Sequence, residues 1–243
     1  MRFTSEQRLD DGVVQREFVL GEIPGTLWTP ESASASAPVP LILMAHNNGL
    51  SKSQPRLLAR GRYTAAYGYA VAAIDAAGCG DRPRSAADDR IRADLRRAMQ
   101  AGEPVDEIFE SLVGPLVEKA APEWRTALDA VLALPEVGGP VGFSGWMALG
   151  IRLAVIEPRI AAAGFFAGGF VPRAQREEAR QVKIPLLLLL QWDDAGNPRQ
   201  RALDLFDAFG TKEKTLHANL VGHTGTPWFE GVDVNRFYGR PLK

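Results

Sequence analysis

Cysteine is nearly absent from this chain of 243 residues. Cys79 is its single thiol, so no intrachain disulfide can form, and such usage fits a reducing compartment. An excess of either charge is missing too. The chain carries 28 Lys and Arg against 29 Asp and Glu, so nothing concentrates positive charge as nucleic acid or an anionic membrane surface requires. Long hydrophobic runs are also lacking. The longest, Ile184 to Leu190, is too short to span a bilayer, and the N-terminal MRFTSEQRLDDG has no apolar stretch of signal-peptide type. Histidine is scarce. His46, His217 and His223 are unpaired at ligand spacing and Cys79 is alone, so no metal site is expected. No glycine-rich run precedes Lys and Ser or Thr, which excludes a phosphate loop, and no redox cofactor has a visible home. The expectation is a cytoplasmic protein, a monomer or homodimer, that handles a small molecule without a cofactor and without nucleic-acid or membrane partners.

The segments that are present alternate in type. Val13 to Leu20 and Gly25 to Trp28 are short β-like runs around the turn signal GEIPG, which predicts an opening antiparallel hairpin. PLILMAH is an unbroken apolar run of the kind found in a central parallel strand covered on both faces. Further strands are predicted in YAVAAID, AAAGFFAGG, IPLLLLLQW and TLHANLV. Helices are predicted at 53–67, 86–101, 104–120, 122–134, 147–157, 198–209 and 227–238. Strands alternating with helices call for a doubly wound, mostly parallel α/β sheet of about eight strands flanked by helices. The expected organisation is one domain over 1–243, with a small helical cap inserted at about 84–121.

In such sheets the chemistry gathers at the carboxyl ends of the strands, and His46, Asp75, Ser144, Asp194 and His223 all fall at or just past predicted ends. Ser144, between Phe143 and Gly145, lies at a strand-to-helix switch where a nucleophile needs small neighbours; a plain strand serine is the bland alternative. Trp146 stands where a second glycine is usual. Asp194 ends a buried run and is the candidate to orient a histidine, with Asp193 as its alternative, since adjacent strand residues face opposite ways. His223, between glycines in a loop after the final strand, is the candidate base. Backbone amides at Asn47 and Gly145 are candidate oxyanion donors, and His46, Asn48, Trp146 and Met147 are candidate substrate contacts. Trp192 and Trp228 are further aromatic residues expected near the pocket.

With these residues in hand, the chain resembles the dienelactone-hydrolase-like branch of the α/β-hydrolase superfamily. The similarity runs through REFVLGEIPGTLWTP, PLILMAHNNG, YAVAAIDAAGCGDRPR, EPRIAAA, LLLQWDD and ALDLFDAFGTKEKTLHANLVGHTGTPWFE. The resemblance implies the α/β-hydrolase fold, a Ser-Asp-His triad in that chain order, and cofactor-free hydrolysis of esters, thioesters or lactones. It puts the acid on Asp194 and the base on His223. Departures cluster around the site. Cys79 replaces a usual histidine, HNNG replaces a glycine-rich loop, and the elbow has two registers. Aligned from downstream the nucleophile position is Ser144; aligned from upstream it is Met147. Two functions therefore stand: a serine hydrolase using Ser144, Asp194 and His223, or a repurposed site in which His223 and Asp194 perform lyase, cyclase or isomerase chemistry on a polyketide-like small molecule.

Overall fold

The computed structural model describes residues 1–46, 50–166, 168–223 and 225–243. Among the described residues, nine strands and seven helices follow one another as β1 (Arg2–Leu9), β2 (Val13–Leu20), β3 (Ile23–Pro30), β4 (Val39–Met44), α1 (Pro55–Ala66), β5 (Ala70–Ile74), α2 (Ala86–Ala101) and α3 (Asp106–Leu132). The chain continues with β6 (Val137–Gly145), α4 (Met147–Ile156), β7 (Ile160–Phe166), α5 (Arg173–Ala179), β8 (Leu186–Gln191), α6 (Arg199–Ala208), β9 (Lys214–Asn219) and α7 (Phe229–Leu242). All strands join one sheet in the order β1-β2-β3-β5-β4-β6-β7-β8-β9. From β1 to β5 neighbours pair antiparallel, and from β5 to β9 they pair parallel.

After β4 the chain moves outward to β5, then returns to the other side of β4 for β6. That reversal opens a crevice beyond the carboxyl ends of β4 and β6, because the connections on either side leave in opposite directions. The apolar runs of the central strands are explained by two covered faces. Leu41, Leu43, Phe143, Phe165 and Leu188 face a cluster containing residues of α3 and α4, while Ile42, Met44, Val71, Leu187 and Leu189 face one with Tyr238 and Leu242 of α7. No described helix is long and apolar enough to cross a membrane.

Two expectations change. The helices predicted at 104–120 and 122–134 are one helix, α3, running through Pro115 and Pro122. A proline inside a helix costs about 3 kcal/mol. The stripe from Leu112 and Leu116 through Trp124, Leu128 and Val131 is buried along the whole length, and that continuous packing outweighs the penalty. The strand β1 also escaped prediction, since nearly every residue of RFTSEQRL is exposed and no apolar alternation marks it.

At the end of α4, Glu157 is buried and receives Arg159 Nε at 2.7 Å and Nη2 at 2.8 Å, with Arg125 Nε at 3.2 Å. Bonding from Arg159 outweighs burial and lowers the carboxyl from 4.5 to about 2. A depressed carboxyl stabilises the fold above its unfolded value and loses that contribution as pH falls toward its folded one. Thermal melts of a Glu157→Gln variant should therefore show a lower Tm than the parent at pH 7, with the gap narrowing as pH drops below 4.5 toward 2. A gap independent of pH would contradict the ion-pair account.

Candidate active site

The structure brings Asp194 and His223 together. Asp194 follows β8 and His223 follows β9, neighbouring parallel strands, so both loops leave the same end of the sheet. His223 Nδ1 lies 2.6 Å from Asp194 Oδ2. Because an ionised carboxylate only accepts, Nδ1 carries the proton in this bond, leaving Nε2 as the nitrogen not engaged by Asp194. Asp194 also accepts from Gly196 N at 3.0 Å and Asn197 Nδ2 at 2.9 Å, which fix both oxygens. Its side chain is buried while the imidazole is 49% exposed, so the pair offers a free nitrogen to solvent or substrate. Asp193, the alternative acid, is exposed.

Ser144 does not join them. The strand β6 continues one residue past it, so Ser144 is a strand residue whose side chain points opposite to that of Phe143. Phe143 packs on Trp124 and Phe165, whereas the Ser144 hydroxyl is buried on the other face and accepts from Arg60 Nη2 at 2.8 Å. Arg60 also lies with its guanidinium carbon 3.9 Å from the Phe166 ring centroid, and burial lowers its pKa to about 10. Tyr238, whose hydroxyl is pushed up by burial, donates to the Phe143 carbonyl at 2.5 Å beside them. Of the three residues expected in a relay, Asp194 and His223 are bonded to each other, and the Ser144 hydroxyl is bonded to the half-buried Arg60.

The turn itself is Gly145-Trp146, and α4 begins at Met147. Gly145 has φ 125°, and a Cβ there would lie 1.9 Å from the Ala45 carbonyl oxygen, so the tight approach of β6 to the end of β4 requires glycine. None of Gly145, Trp146, Met147 and Ala148 carries a hydroxyl or thiol. The first amides of α4 have no partner within the helix, and Ala148 lines the cavity, so its amide joins that of Gly145 as a candidate oxyanion donor. Asn47 and Asn48 lie outside the described residues. His46 is buried with Nε2 3.1 Å from Asp75 Oδ1 and does not line the cavity. Burial works to raise Asp75, but the bond from His46 and that from the Lys52 amide outweigh it and hold the carboxyl below its ordinary value.

The cavity, about 330 Å³, is walled by Trp146, Met147 and Ala148 below, by Phe109, Leu112 and Val113 of α3, and by Arg92, Leu95, Arg96 and Met99 of α2, with His223 at its edge. The α2 residues recur at helical spacing and so share one face. Arg92 and Arg96 went unremarked in the sequence, where α2 reads as a solvated, charge-rich helix. Trp192 and Trp228 do not line the cavity; Trp192 lies under Arg199, with its ring centroid 4.7 Å from the guanidinium carbon, and Trp228 is 82% exposed.

No family model matches the chain, and no curated protein does. Solved structures do. A cold-adapted esterase from an Arctic intertidal metagenomic library is 26% identical, with both chains covered in full and a TM-score of 0.77. Acetyl xylan esterase 1 from Thermoanaerobacterium is 13% identical over 98% of this chain and 87% of that one, with a TM-score of 0.67. A dienelactone hydrolase from Anabaena variabilis is 18% identical over 94% and 99%, with a TM-score of 0.64. The chain has an α/β-hydrolase fold, dienelactone-hydrolase-like. At 13% and 18% identity the last two likenesses speak for the fold alone. In this α/β-hydrolase fold, Asp194 and His223 meet at the ends of β8 and β9, while the elbow between β6 and α4 presents a thioether.

Replacing Gly145 by alanine should force its Cβ against the Ala45 carbonyl at a backbone angle that L-residues resist, costing about 1–3 kcal/mol from conformation alone. Differential scanning should show a Tm fall of at least several degrees; an unchanged Tm would mean the β4–β6 approach is looser than described.

Proposed function

We propose that the protein hydrolyses a small ester, thioester or lactone, and that His223, oriented by Asp194, activates water directly instead of a side-chain nucleophile. The observation that carries this reading is the His223–Asp194 bond beside a cavity whose elbow offers Met147 in place of a hydroxyl. In this mechanism Nε2 of His223 takes a proton from a water molecule as its oxygen attacks the acyl carbon. Asp194 stabilises the imidazolium that forms. The developing oxyanion receives the Ala148 amide at the start of α4, where the helix dipole also favours negative charge. Collapse expels the alcohol or thiol, which recovers the proton from His223, leaving a free acid.

The cavity volume falls at the low end for small-molecule sites, so the substrate is a compact one. Arg92 and Arg96 sit among its described lining residues and no acidic side chain does, which favours a substrate that carries its own negative charge. The lack of a hydroxyl at the elbow also favours a second reading, in which the same pair moves protons in a lyase, cyclase or isomerase reaction. Incorporation of ¹⁸O from labelled water into the carboxyl group of an acid product separates the two, since only cleavage of the acyl bond by water puts its oxygen there.

With aryl esters and lactones as substrates, His223→Ala should lower kcat/KM by about 10²–10⁴-fold. Ser144→Ala should keep kcat within about twofold while lowering Tm, because Arg60 loses its buried acceptor. Intact-mass spectra after fluorophosphonate treatment should show no adduct on the parent protein, whereas Met147→Ser should acquire one. An adduct on Ser144, or loss of turnover in Ser144→Ala, would restore the serine triad and end the water-activation reading.

A further inference from the structure

We propose that His217, Glu230 and Asp233 form a binding site for one divalent cation of zinc or manganese type, which clasps the base of the loop carrying His223. One donor atom from each of the three lies within 4.8 Å of the others. They come from two elements: His217 from β9, and Glu230 and Asp233 from successive turns of one face of α7. An imidazole nitrogen and two carboxylate oxygens make a donor set suited to such an ion, with water completing the coordination.

A second observation, on charge, points the same way. The Glu230 side chain is only 4% exposed, yet its partners are His217 Nδ1, 2.8 Å from Oε2, and Asn219 Nδ2, 2.6 Å from Oε1. Among the described residues no lysine or arginine pairs with it. A carboxylate taken out of water needs strong partners at both oxygens, and those present are an imidazole and a neutral amide. The other two donors stay within reach of solvent, at 32% exposure for the His217 side chain and 37% for that of Asp233. Asp233 also pairs with Arg236 at 3.3 Å, but that guanidinium is 74% exposed and can swing away without desolvation cost. Two ligands on a tetrahedral ion stand about 3.3 Å apart, so entry of the metal displaces the His217 proton and spreads the Nδ1–Oε2 pair by about half an ångström.

The position gives the site its consequence. His217 lies near the end of β9 and Glu230 in the first turn of α7, so the cation would tie together the two ends of the connection that carries His223. Closing that loop reduces the conformations open to it and so favours the one in which His223 meets Asp194. The effect on turnover rests on His223 being the base proposed above; the binding does not. The sequence hid the site because strand and helix supply the ligands from either side of the loop.

Chelator-stripped protein, dialysed against zinc chloride and separately manganese chloride, should retain about one equivalent of one or both metals by plasma mass spectrometry. His223→Ala should retain it equally, which excludes binding at the catalytic pair. His217→Ala and the gentler Asp233→Asn should each lose at least tenfold in affinity by calorimetry, with circular dichroism confirming the fold. In the metal-bound parent the emission of Trp228, which lies between the ligands in sequence, should shift on chelation. Less than a fifth of an equivalent with either metal would overturn the proposal. So would parent-like binding in either His217→Ala or Asp233→Asn, or loss of binding in His223→Ala. If the metal binds as described but no ester is turned over, the site stands and the hydrolytic reading falls.

Discussion

A carboxylate buried at the end of β8 is the constraint around which the carboxyl edge of the sheet is arranged. Asp194 keeps its charge out of water because three donors converge on it: the His223 imidazole, the Asn197 amide and the Gly196 backbone. Each donor comes from a loop that would otherwise have many conformations. Satisfying the acid therefore orders the 194–197 turn and the histidine loop together, and fixes which imidazole nitrogen faces the cavity. Strand order does the rest, since β8 and β9 are parallel neighbours and the reversal at β4 opens a crevice at the same end of the sheet.

Much of this was legible beforehand. The runs PLILMA and LLLLLQ announce doubly covered strands, and the order of Asp194 and His223 after them places both at one end of the sheet. The elbow was not legible, for a reason of parity. Ser144 and Met147 stand on opposite sides of a turn whose position depends on whether β6 stops before or after Gly145. Shifting a strand end by one residue moves a side chain from the cavity to the far face of the sheet. What holds the longer register is tertiary: Arg60, more than eighty positions away, needs the serine as acceptor, and Ala45 fits only against a glycine. Neither contact has a local signature. The same holds for α3, where two prolines read as breaks until the buried stripe across them is seen.

The two sides of the sheet divide the labour. On the α3 and α4 side, Phe143 packs against the rings of Trp124 and Phe165 in the same apolar cluster as Met147. On the α1 and α7 side, polar groups are threaded through the packing: Arg60 with Ser144, Tyr238 with the Phe143 carbonyl, Tyr69 with the Asn235 carbonyl, and Glu230 with His217 and Asn219. Both arrangements meet at β6, where one residue faces each way. The elbow is thus supported by packing from one side and by directed hydrogen bonds from the other, and a change on either face is transmitted to its tip.

The outermost strand, β1, has a bearing of another kind. It shields β2, whose Val13 and Phe18 are buried, and it leaves its own outer edge without a neighbour in the sheet. A bare edge is a template on which a second chain can add by backbone pairing. Here that template bristles with Arg2, Glu6 and Arg8, and its register with β2 breaks between Phe3 and Ser5. Charge and irregularity along that rim make stacking of copies into fibrils costly, so the segment with the least apolar content in the sheet works as a guard against aggregation.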